Sequence, residues 1–269
     1  MFVFGLGYAA AVIARRLAGA GWRIDATGSA GNIAFDDGRA VRAALAAASH
    51  VLSSVPPGDG DPVLARYRDA LAGKWLGYLS STGVYGDTGG AWVDESAPIG
   101  GRRPARDAAD RQWLALGARV FRLPGIYGPG RSALDRVRQG TAHRVGLAGQ
   151  VFSRIHVDDI AIGVIAALDG PPGAYNLADD LPAGQDAVAA FAATLLGLPP
   201  PPFVDLATLS APARAFYAEN RRVSNLRARR VLGWHPAYPD YRAGLRALNA
   251  MTSPAAVSAA PDTASPDQR

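Results

Sequence analysis

The chain has 269 residues, of which 49% are hydrophobic and 19% charged, a globular composition with enough length for one large domain or one domain plus a smaller lobe. It has no cysteine, which excludes disulfides, thiolate metal sites and a cysteine nucleophile, and its four histidines lack metal-ligand spacing. The net charge of +5 comes from arginines that are dispersed and mostly near acids, which argues against a nucleic-acid partner; Lys74 is the only lysine.

The first residues already read as a strand, Phe2 to Phe4, so neither a signal peptide nor a membrane span is expected, and a soluble cytoplasmic protein follows. The strand runs into Gly5-x-Gly7-x-x-Ala10 and a helix over Ala9 to Ala20. This order suits a dinucleotide. Gly5 permits the tight turn, Gly7 lets the backbone approach a pyrophosphate, and Ala10 keeps helix and strand close. Tyr8 lies between them, where the helix N-terminus offers free N–H groups to phosphate.

Trp22 to Thr27 is predicted as the second strand and Ile33 to Phe35 as the third. Asp25 has roughly the spacing of a ribose-binding acid, but Thr27-Gly-Ser-Ala30 reads as the actual turn, where Ser29 suits a hydroxyl or a phosphate equally. The choice between NAD and NADP therefore stays open. Asp36 or Asp37 approaches the adenine or is a solvated loop acid. A helix over Arg39 to Ala48, a strand over His50 to Ser54, a helix from Asp61-Pro62 to Ala72 and a strand over Trp75 to Ser80 follow. Then come a helix over Ala105 to Leu116 and a strand over Arg119 to Leu123. This alternation predicts an α/β, Rossmann-type doubly wound parallel sheet.

Beyond Pro124 the pattern loosens. A short helix near Leu134 to Gln139, a strand-like Val151 to Val157, a helix capped by Asp158-Asp159 and running to Leu168, and a strand over Ala174 to Leu177 are expected. Helices over Gln185 to Leu196, Asn225 to Leu232 and Arg242 to Met251 complete a smaller C-terminal substrate lobe. The expected division is 1–123 plus 151–177 for the dinucleotide-binding core and 124–150 plus 178–251 for the lobe. The segment 252–269, rich in Ala, Ser and Pro, reads as a disordered tail.

Five segments occur in one order: the glycine fingerprint, Ser80-Ser-Thr-Gly-Val-Tyr-Gly86, Arg122-Leu-Pro-Gly-Ile-Tyr-Gly-Pro-Gly130, Arg154-Ile-His-Val-Asp-Asp-Ile160 and Tyr175-Asn-Leu-Ala178. Over residues 1 to 250 the chain resembles the extended short-chain dehydrogenase/reductases, the NAD-dependent epimerase/dehydratase family. The resemblance implies an NAD or NADP cofactor lined by Ser53, Ser54, Val55, Pro56 and Ser80, with Pro124 and Ile126 beside the nicotinamide. It makes Ser81 the catalytic hydroxyl, sets Thr82, Tyr127 and Arg131 toward a sugar-like or nucleotide-linked substrate, and reads His156 and Asp158 as a helix cap with its supporting contacts. It also implies a homodimer through helices 61–72 and 105–116.

The departure from the family is the acid/base pair Tyr-x-x-x-Lys. The residue four before Lys74 is Ala70, so the pair is absent. Aligning Asp110 with a family carboxylate puts Arg106 at the lysine position and Arg102 at the tyrosine position. Arginine holds a ribose or phosphate but stays protonated and shuttles protons poorly. The pattern resembles the atypical branch of the family. Tyr85 and Tyr127 are the candidate substitutes, with a water relay from Ser81 as the other route. Two readings stand: an oxidoreductase with an altered acid/base system, or a non-catalytic NAD(P)-binding sensor or regulatory protein.

Overall fold

The computed structural model describes residues 1–252, save the Pro212 side chain. Six parallel strands form the main sheet: β1 (Phe2–Phe4), β2 (Asp25–Ala26), β3 (His50–Ser53), β4 (Trp75–Ser81), β6 (Arg119–Leu123) and β9 (Gly173–Asn176). Their order is β2-β1-β3-β4-β6-β9. The chain leaves β1 toward one edge, returns, and builds the other edge from β3 onward. The crevice between β1 and β3 is therefore the topological switch point, where such sheets bind ligands. Ile33–Phe35 is not the expected third strand. Ile33 makes only a single bridge to Thr27, because the chain turns straight into the Asp37 cap of the next helix.

Helices cover both faces. On one lie α1 (Tyr8–Gly19), α6 (Val157–Ala166) and α9 (Leu226–Leu232), packed on Val3, Leu52, Phe121 and Tyr175. On the other lie α2 (Gly38–Ala47), α3 (Pro62–Tyr67) and α4 (Pro104–Ala115). Trp113 of α4 is fully buried, stacks on Tyr78 at 5.4 Å, and donates its indole N–H to Asp61 at 2.7 Å. The other Asp61 oxygen caps α3 by accepting from Val63 and Leu64. One carboxylate thus joins two helices, and the aromatic pair gains both its apolar area and a satisfied donor. The helix expected to run to Ala72 stops earlier and tightens into a 3₁₀ turn over Arg68–Leu71.

A third apolar cluster joins α5 (Ala133–Arg138), α7 (Gln185–Leu195) and α10 (Tyr241–Thr252) around Tyr127 and Leu245. Short pairs of strands, β5 (Trp92–Val93) with β10 (Arg222–Val223) and β7 (Gly125–Tyr127) with β8 (Arg154–His156), connect it to the sheet. The short α8 (Ala211–Phe216) lies before β10. Thr252, expected to begin the tail, closes α10; the rest of that expected tail lies outside the described residues.

Two expectations at α6 are corrected. Asp158 and Asp159 do not cap the helix: His156 does, its Nδ1 accepting from the Asp158 amide at 3.2 Å. Asp158 reaches Arg16 of α1 at 3.1 Å. Asp159 is fully buried and accepts from the amides of Ala237 and Tyr238, while its carbonyl takes the Trp234 indole N–H. Burial raises its carboxyl to about 6 even so. The chain's return toward α10 is thereby anchored on α6.

A buried polar network closes the sheet's carboxyl end. Arg122 on β6, 2% exposed, forms a bidentate pair with Asp110 of α4 (3.1 and 2.8 Å). Burial works against its charge, but these bonds raise its pKa above the usual value. Ser80 donates to the same carboxylate at 2.6 Å, Arg122 donates to the Tyr85 hydroxyl at 3.0 Å, and that hydroxyl donates to Asn176 at 2.7 Å. Removing one member leaves a buried charge without its partner. Asp110→Ala or Arg122→Met is expected to lower the unfolding free energy by about 3–5 kcal/mol in urea titrations, and the double variant by less than the two combined.

Candidate functional site

Gly5 adopts φ +79° and ends β1 in the tight turn that its position demanded. Thr27 holds the turn: its hydroxyl accepts from the Gly5 amide at 3.0 Å and its carbonyl from Leu6 at 2.7 Å. From the β3 side, the Ser54 hydroxyl donates to the Gly5 carbonyl, and Val55 packs where a Gly5 side chain would go. Gly28, at φ +106°, passes so close that a Cβ would lie 2.9 Å from the Leu6 amide. Gly7 is the N-cap of α1, and no side chain caps the helix. A Cβ on Gly7 would enter open space, and Ala10 is fully buried against the sheet. Uncapped amides facing an open crevice at the switch point fit a pyrophosphate.

The adenosine-side candidates are dispersed. Ser29 is exposed on the turn after β2. Asp25 is held by Asn32 at 3.0 Å and Arg23 at 3.2 Å. Asp36 pairs with Arg66 of α3, and Asp37 caps α2. The Ser53 hydroxyl is buried without a partner, so only its backbone borders the crevice, while Pro56 is exposed beside Val55.

At the other end, a cavity of about 750 Å³ opens between the ends of β4 and β6 and the third cluster. Ser81, Thr82, Pro124, Ile126, Tyr127 and Arg131 all line it. Ser81 is half-buried, and its oxygen accepts from the Gly83 amide at 3.1 Å, capping the 3₁₀ turn Thr82–Tyr85. Its own proton remains available to a ligand oxygen. Arg131 lies over the Tyr8 ring at 5.6 Å, and the Tyr8 hydroxyl donates to Pro129 at 3.1 Å. That contact joins the glycine turn to the cavity.

Three candidates are placed otherwise. The Ser80 and Tyr85 side chains belong to the buried Arg122–Asp110 network and do not line the cavity. Burial pushes the Tyr85 hydroxyl up to about 12, which suits a fixed hydrogen-bond partner better than a proton donor. Alternation explains the split: successive β4 side chains point to opposite faces, so Ser80 faces α4 while Ser81 faces the cavity. Arg106 lies in the first turn of α4 and is also absent from the wall; Arg102 and Arg103, just before that helix, line it instead. Tyr127 does line the cavity with its ring, but its hydroxyl is buried without a partner against Gly244, where a Cβ would overlap it. Burial raises its pKa well above the usual value.

The wall also carries residues that sequence reasoning missed. Glu219 accepts from Arg102 and Arg221, each at 2.5 Å. Burial alone would raise its carboxyl, but these arginines hold it below the usual range, so it stays ionised. Arg136 and Arg154 line the same space, and Phe152 and Phe216 stack on its wall at 4.3 Å. Arg154 stood inside a recognised motif, whereas nothing in the local sequence marks Glu219. Among the described residues, no histidine or lysine lines the cavity.

This architecture, with a glycine turn at the switch point and a cavity beyond β4, is the Rossmann-type fold of solved structures that include NAD-dependent epimerases and dehydratases. A conserved protein of unknown function from Silicibacter pomeroyi DSS is 44% identical, with a TM-score of 0.83 over 93% of this chain and 98% of that one. The human epimerase family protein SDR39U1 (isoform 2), solved with NADPH, is 18% identical, with a TM-score of 0.73 over 93% and 99% of the two chains. MoeE5, solved with UDP-glucuronic acid and NAD, is also 18% identical, with a TM-score of 0.73 over 93% and 98%. A 3-diazoavenalumate denitrifying reductase from a Streptomyces species is 33% identical over 184 residues, 57% of this chain; the match spans only 58% of that relative's length. No family model matches the chain. No described helix is long and apolar enough to cross a membrane.

The open space at Gly7 supplies a direct test. Its φ of −87° and ψ of −170° suit any residue, so Gly7→Val is expected to fold normally. It should weaken NADH or NADPH binding by at least about tenfold, because the new side chain fills the phosphate's place. Nicotinamide fluorescence titration, with circular dichroism as the folding control, measures both.

Proposed function

We propose that this protein is an NAD(P)-dependent oxidoreductase of the epimerase/dehydratase type, acting on a small molecule held in the cavity beyond Ser81. The observation that carries the reading is the continuity of the two places. Tyr8 beside Gly7 touches Arg131 of the cavity wall, so a dinucleotide lying across the switch point has its far end beside Ser81 and Ile126. Gly5, Gly7 and the first turn of α1 would hold the pyrophosphate, and Ser54, Val55, Pro124 and Ile126 would flank the rest. The bound cofactor, NAD or NADP, supplies the redox chemistry. The neighbours solved with NAD and NADPH and the partial match to a reductase support this reading.

The chain's own residues then have separate tasks. Ser81 donates a hydrogen bond to the substrate's reacting oxygen, and the fixed Gly83 amide keeps that hydroxyl oriented. With the Tyr85 and Tyr127 hydroxyls buried and no lysine or histidine on the wall, the proton passes through water at Ser81. Residues 1–123 plus 151–177 carry the dinucleotide, and 124–150 plus 178–251 enclose the substrate. A sugar-like or nucleotide-linked substrate is consistent with the arginine-rich wall and with the UDP-sugar bound by MoeE5. Helices α3 and α4 are the proposed homodimer surface.

Ser81→Ala is expected to cut turnover by about a hundredfold with a panel of sugar nucleotides and simple carbonyl compounds, while nicotinamide affinity is unchanged. Tight cofactor binding by the unaltered protein, with no turnover across the panel, would instead favour a sensor or regulatory protein, the reading that the missing Tyr-x-x-x-Lys pair supports.

A further inference from the structure

The cavity wall holds more positive charge than the protein neutralises. Arg102, Arg103, Arg131, Arg136, Arg154 and Arg221 face only two carboxylates, Asp135 and Glu219. Glu219 is taken up by Arg102 and Arg221, and Asp135 accepts from the Ser132 amide and hydroxyl in a capping box. Among the described residues, Arg103, Arg131, Arg136 and Arg154 form no ion pair.

Arg154 is the informative member. It is 8% exposed, and its guanidinium donates only to neutral oxygens: the Phe152 and Ala183 carbonyls, each at 2.8 Å, and the Gln185 side chain at 3.0 Å. Burial pulls its pKa down to about 10. Asp179 attracts that charge, but its own carboxylate is buried without a hydrogen-bond partner and burial raises its pKa far above the usual range. Arg136 is near enough to repel Arg154. The attraction of Asp179 exceeds the repulsion of Arg136, yet no carboxylate oxygen among the described residues bonds the Arg154 guanidinium and Arg136 has no ion pair, so two cations on the wall of one cavity are left to be met by an anion that enters it. Beside them the stacked Phe152 and Phe216 offer a flat apolar surface, with Phe216 47% exposed.

We infer that Arg154 and Arg136 form the receptor for an oxyanion of the substrate, a carboxylate or a phosphate, and that the Phe152–Phe216 pair seats the flat group that carries it. The assignment rests on the cavity being the substrate chamber. It makes Arg154 a specificity-determining residue with no part in proton transfer: the anion is fixed on the wall of the same cavity that Ser81 lines. Planar guanidinium forks match both oxyanions, so charge sets the affinity and the attached group selects between the two sources.

The test is calorimetric titration of the full chain with two matched pairs: trans-cinnamate with its methyl ester, and UDP with uridine. At least one anion is expected to bind about tenfold or more tightly than its neutral counterpart, a difference of about 1.4 kcal/mol. A preference within the cinnamate pair identifies a carboxylate substrate; one within the UDP pair identifies a phosphate-bearing substrate. Arg154→Gln and Arg136→Gln should each abolish the preference. Arg136 is exposed, so its variant keeps the test valid if Arg154→Gln fails to fold. Equal binding of charged and neutral partners, no binding of either pair, or a preference that survives Arg136→Gln overturns the receptor. NADPH titrations of the same samples separate this outcome from the cofactor reading. If NADPH binds while the anions do not, only the receptor fails; if the anions bind while NADPH does not, the cofactor reading fails and the receptor stands.

Discussion

A guanidinium buried between strands of a parallel sheet and a covering helix has to be neutralised where it lies, and the Arg122–Asp110 pair does so at the carboxyl end of β6. Asp110 belongs to α4, so the pair fixes that helix against the sheet. Ser80 ties β4 to the same carboxylate, and Tyr85 carries the network through Asn176 to β9. Three strands and a helix thus share one set of charge-assisted bonds in a low-dielectric interior, where each strengthens its neighbours. The candidate site stands directly on this base. Ser81 follows Ser80, and Arg102 and Arg103 lie just ahead of α4. Where these residues face is a consequence of how the buried pair holds their neighbours.

The same network accounts for the use of tyrosine and arginine here. Tyr85 is placed by sequence close to the reacting end of the crevice, yet its hydroxyl is engaged with Arg122 and Asn176 and is buried. On the chamber side, Ser81 offers a hydroxyl held by the Gly83 amide. Positive charge fills the rest: Arg102 and Arg221 clamp Glu219, while Arg136 and Arg154 stay without ionic partners among the described residues. In the proposed reading, this wall holds and orients an anion while proton movement falls to water at Ser81.

The joint between the sheet and the third apolar cluster is held by the His156-Val-Asp-Asp159 segment, three of whose residues have different tasks. His156 caps α6, Asp158 pairs with Arg16 of α1, and Asp159 takes two amides of the segment leading to α10. Tyr127 fits beneath Gly244 of α10 because no side chain stands there. The chamber's geometry therefore depends on α1, α6 and α10 together. A change at Asp159 would be felt at the Tyr127 wall although Asp159 does not line the cavity.

The sequence by itself determined the parallel sheet, the glycine turn and the order of the motifs. Those features rest on local physics: short continuous apolar runs, the φ > 0 that Gly5 supplies, and the helix start marked by Asp61-Pro62. It also determined that Tyr-x-x-x-Lys is absent, since a single lysine decides that. Other outcomes belong to the tertiary structure. Ile33–Phe35 looked apolar enough for a strand but met a partner only at Ile33. Ser80 and Ser81 are chemically alike in sequence and were separated by the pleat of β4. Arg106 and Arg102 were separated by the start of α4 at Pro104. Glu219 and Arg136 lie outside the five motifs and reached the cavity wall through packing of separate segments. Local pattern specifies an element and the face it buries. Which charges meet, and which stay unpaired in a common cavity, is decided only when distant segments pack together, because that is when each group loses its water.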